Sequence, residues 1–221
     1  MAKKPSHHPS ILRNRQEAIR EEYDMVLIVC EGSETEPNYF KRLRNHYKLS
    51  TVNINIAPAT ESDPVSVVNS AKKEAEKAKE PYDRVFCVYD LVGSQKEKYD
   101  QAMSLIKASD GQIKAITSHP CFEVWVLLHF TYSTASFDKA GKSSACGNVI
   151  KEIEDKHIPS YNKGDPTLFD ELHSRMDKAI ENAKKLEKYN QETGSENPGT
   201  NLHHLVDYLR KLKSMNYNAF S

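Results

Sequence analysis

The chain has 221 residues, 38% hydrophobic and 28% charged, ordinary values for a globular protein with one ample domain, or a domain with a helical extension. Lys plus Arg and Asp plus Glu number 31 each, which excludes a global field drawing the chain to nucleic acid and leaves a local basic surface open. No apolar run approaches the roughly 18 residues of a membrane span and no signal-peptide core is present, while Cys30, Cys87, Cys121 and Cys146 show no CxxC spacing, so a reducing cytoplasm is the expected compartment.

Residues 1–22 are polar and basic, with Lys3, Lys4, Arg13, Arg15 and Arg20. They read as a flexible arm or as one that touches phosphates or a partner. Met25 to Val29 is a continuous run of mostly branched apolar residues, the pattern of a strand buried on both faces. Pro37 is expected to open a helix, since proline suits the first helical position, and Phe40, Leu43 and Tyr47 supply its apolar face. Val52, Ile54 and Ile56 alternate with polar residues as in a half-buried, edge-type strand. Asp63-Pro64 marks a helix start by cap and proline, and the helix is expected to run to about Lys79.

The run RVFCVY, residues 84–89, is a second buried strand that leads into Asp90. A helix near residues 96–108 and a strand near 112–116 follow. Strands alternating with helices predict βαβ crossovers and an α/β fold with a mainly parallel sheet. Residues 120–130, apolar almost all round, read as a buried helix capped by Ser118. Beyond it the pattern predicts a polar loop over 131–147, a long charged helix from Pro166 to about Lys188, a linker over 191–199 and an amphipathic helix over 201–212, with Leu202, Leu205, Val206 and Leu209 on its apolar face.

In open parallel sheets, functional groups gather beyond the carboxyl ends of the strands. Glu31 and Asp90 stand at two such ends. If the strands are neighbours, the two carboxylates face one crevice and need a hard cation or a shared proton; each residue alone also suits a turn or a helix cap. Glu34 and Glu36 read mainly as first-turn helix acids. His129 reads as a core histidine, and Lys163 as either a phosphate contact or a solvated loop lysine. The chain has no Walker-type loop and no HExxH zinc spacing.

The stretch CEGSETEPNYF, residues 30–40, resembles the opening motif of the RloB-like proteins, Toprim-fold components of bacterial phage-defence and restriction-associated loci. SHPCFEVWVLLHF, residues 118–130, is similar to the family's central signature, and NPGTN, residues 197–201, to its C-terminal turn, with Tyr161 and Lys163 matching a pair between them. The resemblance implies a Toprim-like sheet flanked by helices over residues 23–130, and a helical extension over 131–221.

It also implies an Mg²⁺-dependent nuclease (Mn²⁺ as the alternative ion) that acts on DNA or RNA, including tRNA. An AAA-type ATPase would be its partner, no membrane would be involved, and homo-oligomerisation stays open. Glu31 and Asp90 would hold the metal, Glu123 would be a supporting acid and Lys163 a phosphate contact. Glu123 suits equally a bond to backbone amides or to His129. The second aspartate of the family pattern falls on Val92, which has no metal-binding group, so a catalytically degenerate binding or regulatory subunit is the alternative.

Overall fold

The computed structural model describes residues 23–91 and 96–217, with side chains to residue 213. The basic arm, Val92 and the Gly93-Ser94 pair after it therefore lie outside the described residues. The elements are β1 (Val26–Cys30), α1 (Thr35–His46), β2 (Ile54–Pro58), α2 (Pro64–Lys77), β3 (Arg84–Asp90), α3 (Lys96–Lys107), β4 (Ile113–His119), α4 (Glu123–Leu128), α5 (Ala145–Lys156), α6 (Leu168–Leu172), α7 (Met176–Thr193), β5 (Gly199–Thr200) and α8 (Leu202–Tyr217).

The fold is α/β, with one five-stranded sheet in the order β2-β1-β3-β4-β5. The first four strands run parallel, and β5 pairs antiparallel with β4. Every residue of β1 is buried, because its alternate side chains feed two cores. Val26, Ile28 and Cys30 join a cluster with α1, α4, α7 and α8. Leu27 and Val29 join α2 and α3 on the opposite face. Strand β3 divides in the same way, Phe86 and Val88 to one side and Val85, Cys87 and Tyr89 to the other. A sheet covered on both faces needs apolar residues without alternation, which is the pattern both strands carry.

Several boundaries differ from the expected ones. Helix α1 begins at Thr35, two residues before Pro37; proline is still accommodated because the first-turn N–H groups have no intrahelical acceptors. Asp63 caps α2 as expected, accepting from the Val65 and Ser66 amides at 3.1 and 3.2 Å. Strand β4 extends to His119, so Ser118 is no helix cap. Its hydroxyl lies 2.9 Å from that of Thr200 on β5. The apolar segment after it is helical only from Glu123 to Leu128.

The region between the central signature and the long charged segment holds α5, whose cap Ser144 accepts from the Gly147 amide at 2.9 Å. The charged segment itself is broken by a 3₁₀ turn at His173–Arg175, which lets α6 pack on α1 while α7 packs on α4 and α8. The expected linker is shorter, because Gly199 and Thr200 pair with His119 and Ser118. Leu202, Leu205, Val206 and Leu209 of α8 are buried, as their spacing predicted. Among the described residues, no helix is long and apolar enough to cross a membrane.

Candidate active site

Strands β1 and β3 are adjacent and parallel, with Cys30 beside Val88. The residues that follow are thereby brought together. The Glu31 amide donates to the Val88 carbonyl at 2.8 Å, and the Glu31 carboxylate accepts from the Asp90 amide at 2.8 Å. One oxygen of Glu31 thus anchors the last residue of β3. The two acids line a cleft of about 340 Å³ together with Glu34, Glu36, Glu123 and Lys163.

Burial holds the Glu31 carboxyl above its usual range, partly offset by the bond from the Asp90 amide. Asp90 is pushed well above the ordinary range by burial and then by the neighbouring Glu36, Glu123 and Glu31, with Lys163 acting against the rise. Glu36 is raised for the same reasons, burial first. The sequence pattern reads Glu36 as a first-turn acid, yet it is 7% exposed. Its carboxylate occupies the space a side chain at Gly32 would need. That glycine is the local signal for it: a backbone that must approach an acid closely excludes a Cβ.

Glu123 is 1% exposed, and among the described residues it pairs neither with His129 nor with a backbone amide. Its Oε1 accepts from the Tyr161 hydroxyl at 3.2 Å and lies 3.1 Å from Lys163 Nζ. The Tyr161/Lys163 pair is therefore a clamp on a buried acid. Lys163 itself stays half exposed, so its ammonium reaches the cleft. The turn that carries it is tied to α1: the Gly164 amide donates to Thr35 Oγ1 at 3.0 Å, and Asn38 Nδ2 donates to the Gly164 carbonyl at 3.0 Å. His129 is a core residue, its Nδ1 2.9 Å from the Trp125 carbonyl and its pKa lowered by burial to about 4.

Cys121 and Cys146 form a disulfide beside Glu123, whereas the sequence reading leaves all four cysteines unpaired. The Cys146 sulfur sits 3.4 Å from Glu123 Oε2 and 3.5 Å from Lys163 Nζ. A half-cystine has no proton to donate, so the first of these is a packing contact. Cys30 and Cys87 are buried free thiols.

The motif at residues 30–40 meets the central signature through Trp125 Nε1, which donates to the Tyr39 hydroxyl at 2.9 Å. The NPGTN turn closes the sheet edge, with Asn201 Oδ1 accepting from the Thr117 amide at 2.6 Å. A family model described as RloB-like protein matches residues 26–209. The chain belongs to the RloB-like family. No curated protein and no solved structure matches it significantly.

The oxygen-only donor set of this RloB-like chain suits a hard cation, since Mg²⁺ prefers carboxylate and water oxygens. Several carboxyl groups face Lys163, and the raised proton affinities of Glu36 and Asp90 reflect burial first and then repulsion among the acids, which a cation would relieve. Among the described residues, no three of the acids bring oxygens within 4.8 Å of one another. An ion that keeps several waters is compatible with that spread.

Proposed function

We propose that the protein is an Mg²⁺-dependent nuclease of an antiviral defence system, cleaving phosphodiester bonds in DNA or RNA. The observation that carries this reading is the placement of Glu31 and Asp90 at the carboxyl ends of adjacent parallel strands, in one cleft with Glu36, Glu123 and Lys163. Glu31 and Asp90 would hold the ion. When bound, Mg²⁺ or Mn²⁺ polarises the phosphodiester and favours ionisation of water.

The remaining chemistry belongs to the side chains. Lys163, held by Glu123, offers an ammonium to a phosphate oxygen and stabilises charge that develops there. A phosphate entering the cleft competes with Glu123 for that ammonium. Glu36, buried with a raised proton affinity, is placed to accept a proton within the cleft. The chain has no Walker-type loop, so a nucleotide-driven step falls to an ATPase partner of AAA type. Such a nuclease works in the cytoplasm, where the Cys121–Cys146 bond is subject to reduction.

The test is incubation of the purified chain, alone and with its ATPase partner, with labelled DNA and tRNA in Mg²⁺ or Mn²⁺. Cleavage that disappears in Glu31→Gln and Asp90→Asn supports the reading. Absence of cleavage throughout, or cleavage indifferent to both substitutions, overturns it. A second reading, a binding subunit without chemistry, is favoured by Val92 in place of an aspartate and by the separation of the acids. Nucleic-acid binding without cleavage would select it.

A further inference from the structure

Away from the acid cleft, α7 and the first turn of α8 bring together Glu187, His203 and His204. Nε2 of His203 lies 3.3 Å from one oxygen of Glu187, and Nε2 of His204 lies 3.0 Å from the other. The three donor atoms all fall within 4.8 Å of one another. Two ligands bound to zinc at ~2.0–2.2 Å across a tetrahedral angle lie about 3.3 Å apart, and the two histidine-to-carboxylate contacts, 3.3 and 3.0 Å, each to its own Glu187 oxygen, come close to that. The imidazoles face each other with ring centroids 4.0 Å apart.

His203 is 1% exposed, and neither of its ring nitrogens has a well-formed hydrogen bond among the described residues. A buried polar ring without partners costs stability, and a ligand at Nε2 supplies one. Glu187 also lines a separate cleft of about 340 Å³ with His119, Asn190 and Asn201, through which water reaches the carboxylate.

We propose that Glu187, His203 and His204 form a zinc-type transition-metal site that ties α7 to α8. Two imidazoles and a carboxylate match the ligand preferences of zinc and its first-row neighbours, and the nitrogen donors disfavour Mg²⁺. Three protein ligands leave a fourth position for water. The site is chemically distinct from the acid cleft and does not depend on nuclease activity.

The test uses the untagged, oxidised full-length chain freed of metal, titrated with Zn²⁺ by calorimetry and with Co²⁺ by visible absorption. With the disulfide intact, Cys121 and Cys146 have no thiolates to offer. One Zn²⁺ per chain is expected, with the intense visible bands of four-coordinate Co²⁺. Glu187→Gln and His204→Ala, both at partly exposed positions, should weaken binding at least tenfold while circular dichroism shows the fold retained. Glu31→Gln should leave it unchanged. Absence of Zn²⁺ binding would overturn the site, as would equal affinity in Glu187→Gln and His204→Ala, which would place the ion elsewhere.

Discussion

The acid cleft and the Glu187/His203/His204 cluster are opposite solutions to gathering charged or polar side chains. The cleft spreads its carboxyl groups around the ends of β1 and β3 and sets Lys163 against them. Among the described residues, no three of its acids approach within 4.8 Å of one another. The α7/α8 cluster brings one donor atom from each residue within 4.8 Å of the others, around a buried imidazole. The spread suits an ion that carries its own water, and the compact group suits one bound directly. Ligand spacing and donor type together separate two chemistries that a count of acids and histidines would merge.

The sharpest break between the two regions is functional. Glu31→Gln or Asp90→Asn should lower cleavage about 10³-fold, roughly 4 kcal/mol in the barrier, as read by single-turnover assays. Glu187→Gln should leave cleavage unchanged.

Next in size is the covalent bond behind Glu123. Cys121 and Cys146 are 25 positions apart, and closing a loop of that length stabilises by about 3 kcal/mol in the chain-entropy treatment. Reduction should lower the denaturation midpoint accordingly, seen by comparing urea unfolding with and without dithiothreitol. Gly164 has φ +81°, and a Cβ there would meet the Glu34 side chain at 2.6 Å. Gly164→Ala should therefore cost about 1–2 kcal/mol and weaken cleavage by shifting Lys163, without touching Zn²⁺ affinity.

The smallest effect is on pH dependence. Glu31, Glu36 and Asp90 all have raised proton affinities in the folded state. Between the ordinary carboxylate range and the raised values, the native state holds more protons than the unfolded state. Their contribution to stability therefore increases as pH falls through that window and decreases as pH rises. Thermal melts between pH 8 and 5 should show Asp90→Asn flattening this dependence and raising the metal-free melting temperature at pH 8 by a few degrees.

Strands β1 and β3 were legible in the sequence because a doubly covered strand leaves no polar alternation to confuse with a helix face. The positions of Glu31 and Asp90 followed from them. What sequence spacing does not carry is the meeting of distant segments. The burial of Glu36 depends on the close approach of Gly32, and the partners of Glu123 come from a turn 38 residues later. Cys121 and Cys146 lie in unlike surroundings with nothing local to pair them. Ser118 reads as a cap in the sequence because β4 extends through polar residues, sustained by bonds to β5 that only the tertiary fold supplies. Helix α5 was missed because Ser, Thr and Gly before it dominate the local composition.

The Tyr161–Gly164 turn, fastened to Thr35 and Asn38, bears on how the protein is made. During synthesis the chain presents Glu31 and Asp90 long before Lys163 leaves the ribosome, and β5, which closes the sheet edge, comes later still. Domains fold as their residues emerge. A partly made chain therefore holds acids without their ammonium group, and the cleft is complete only once the Tyr161–Gly164 turn has docked on α1.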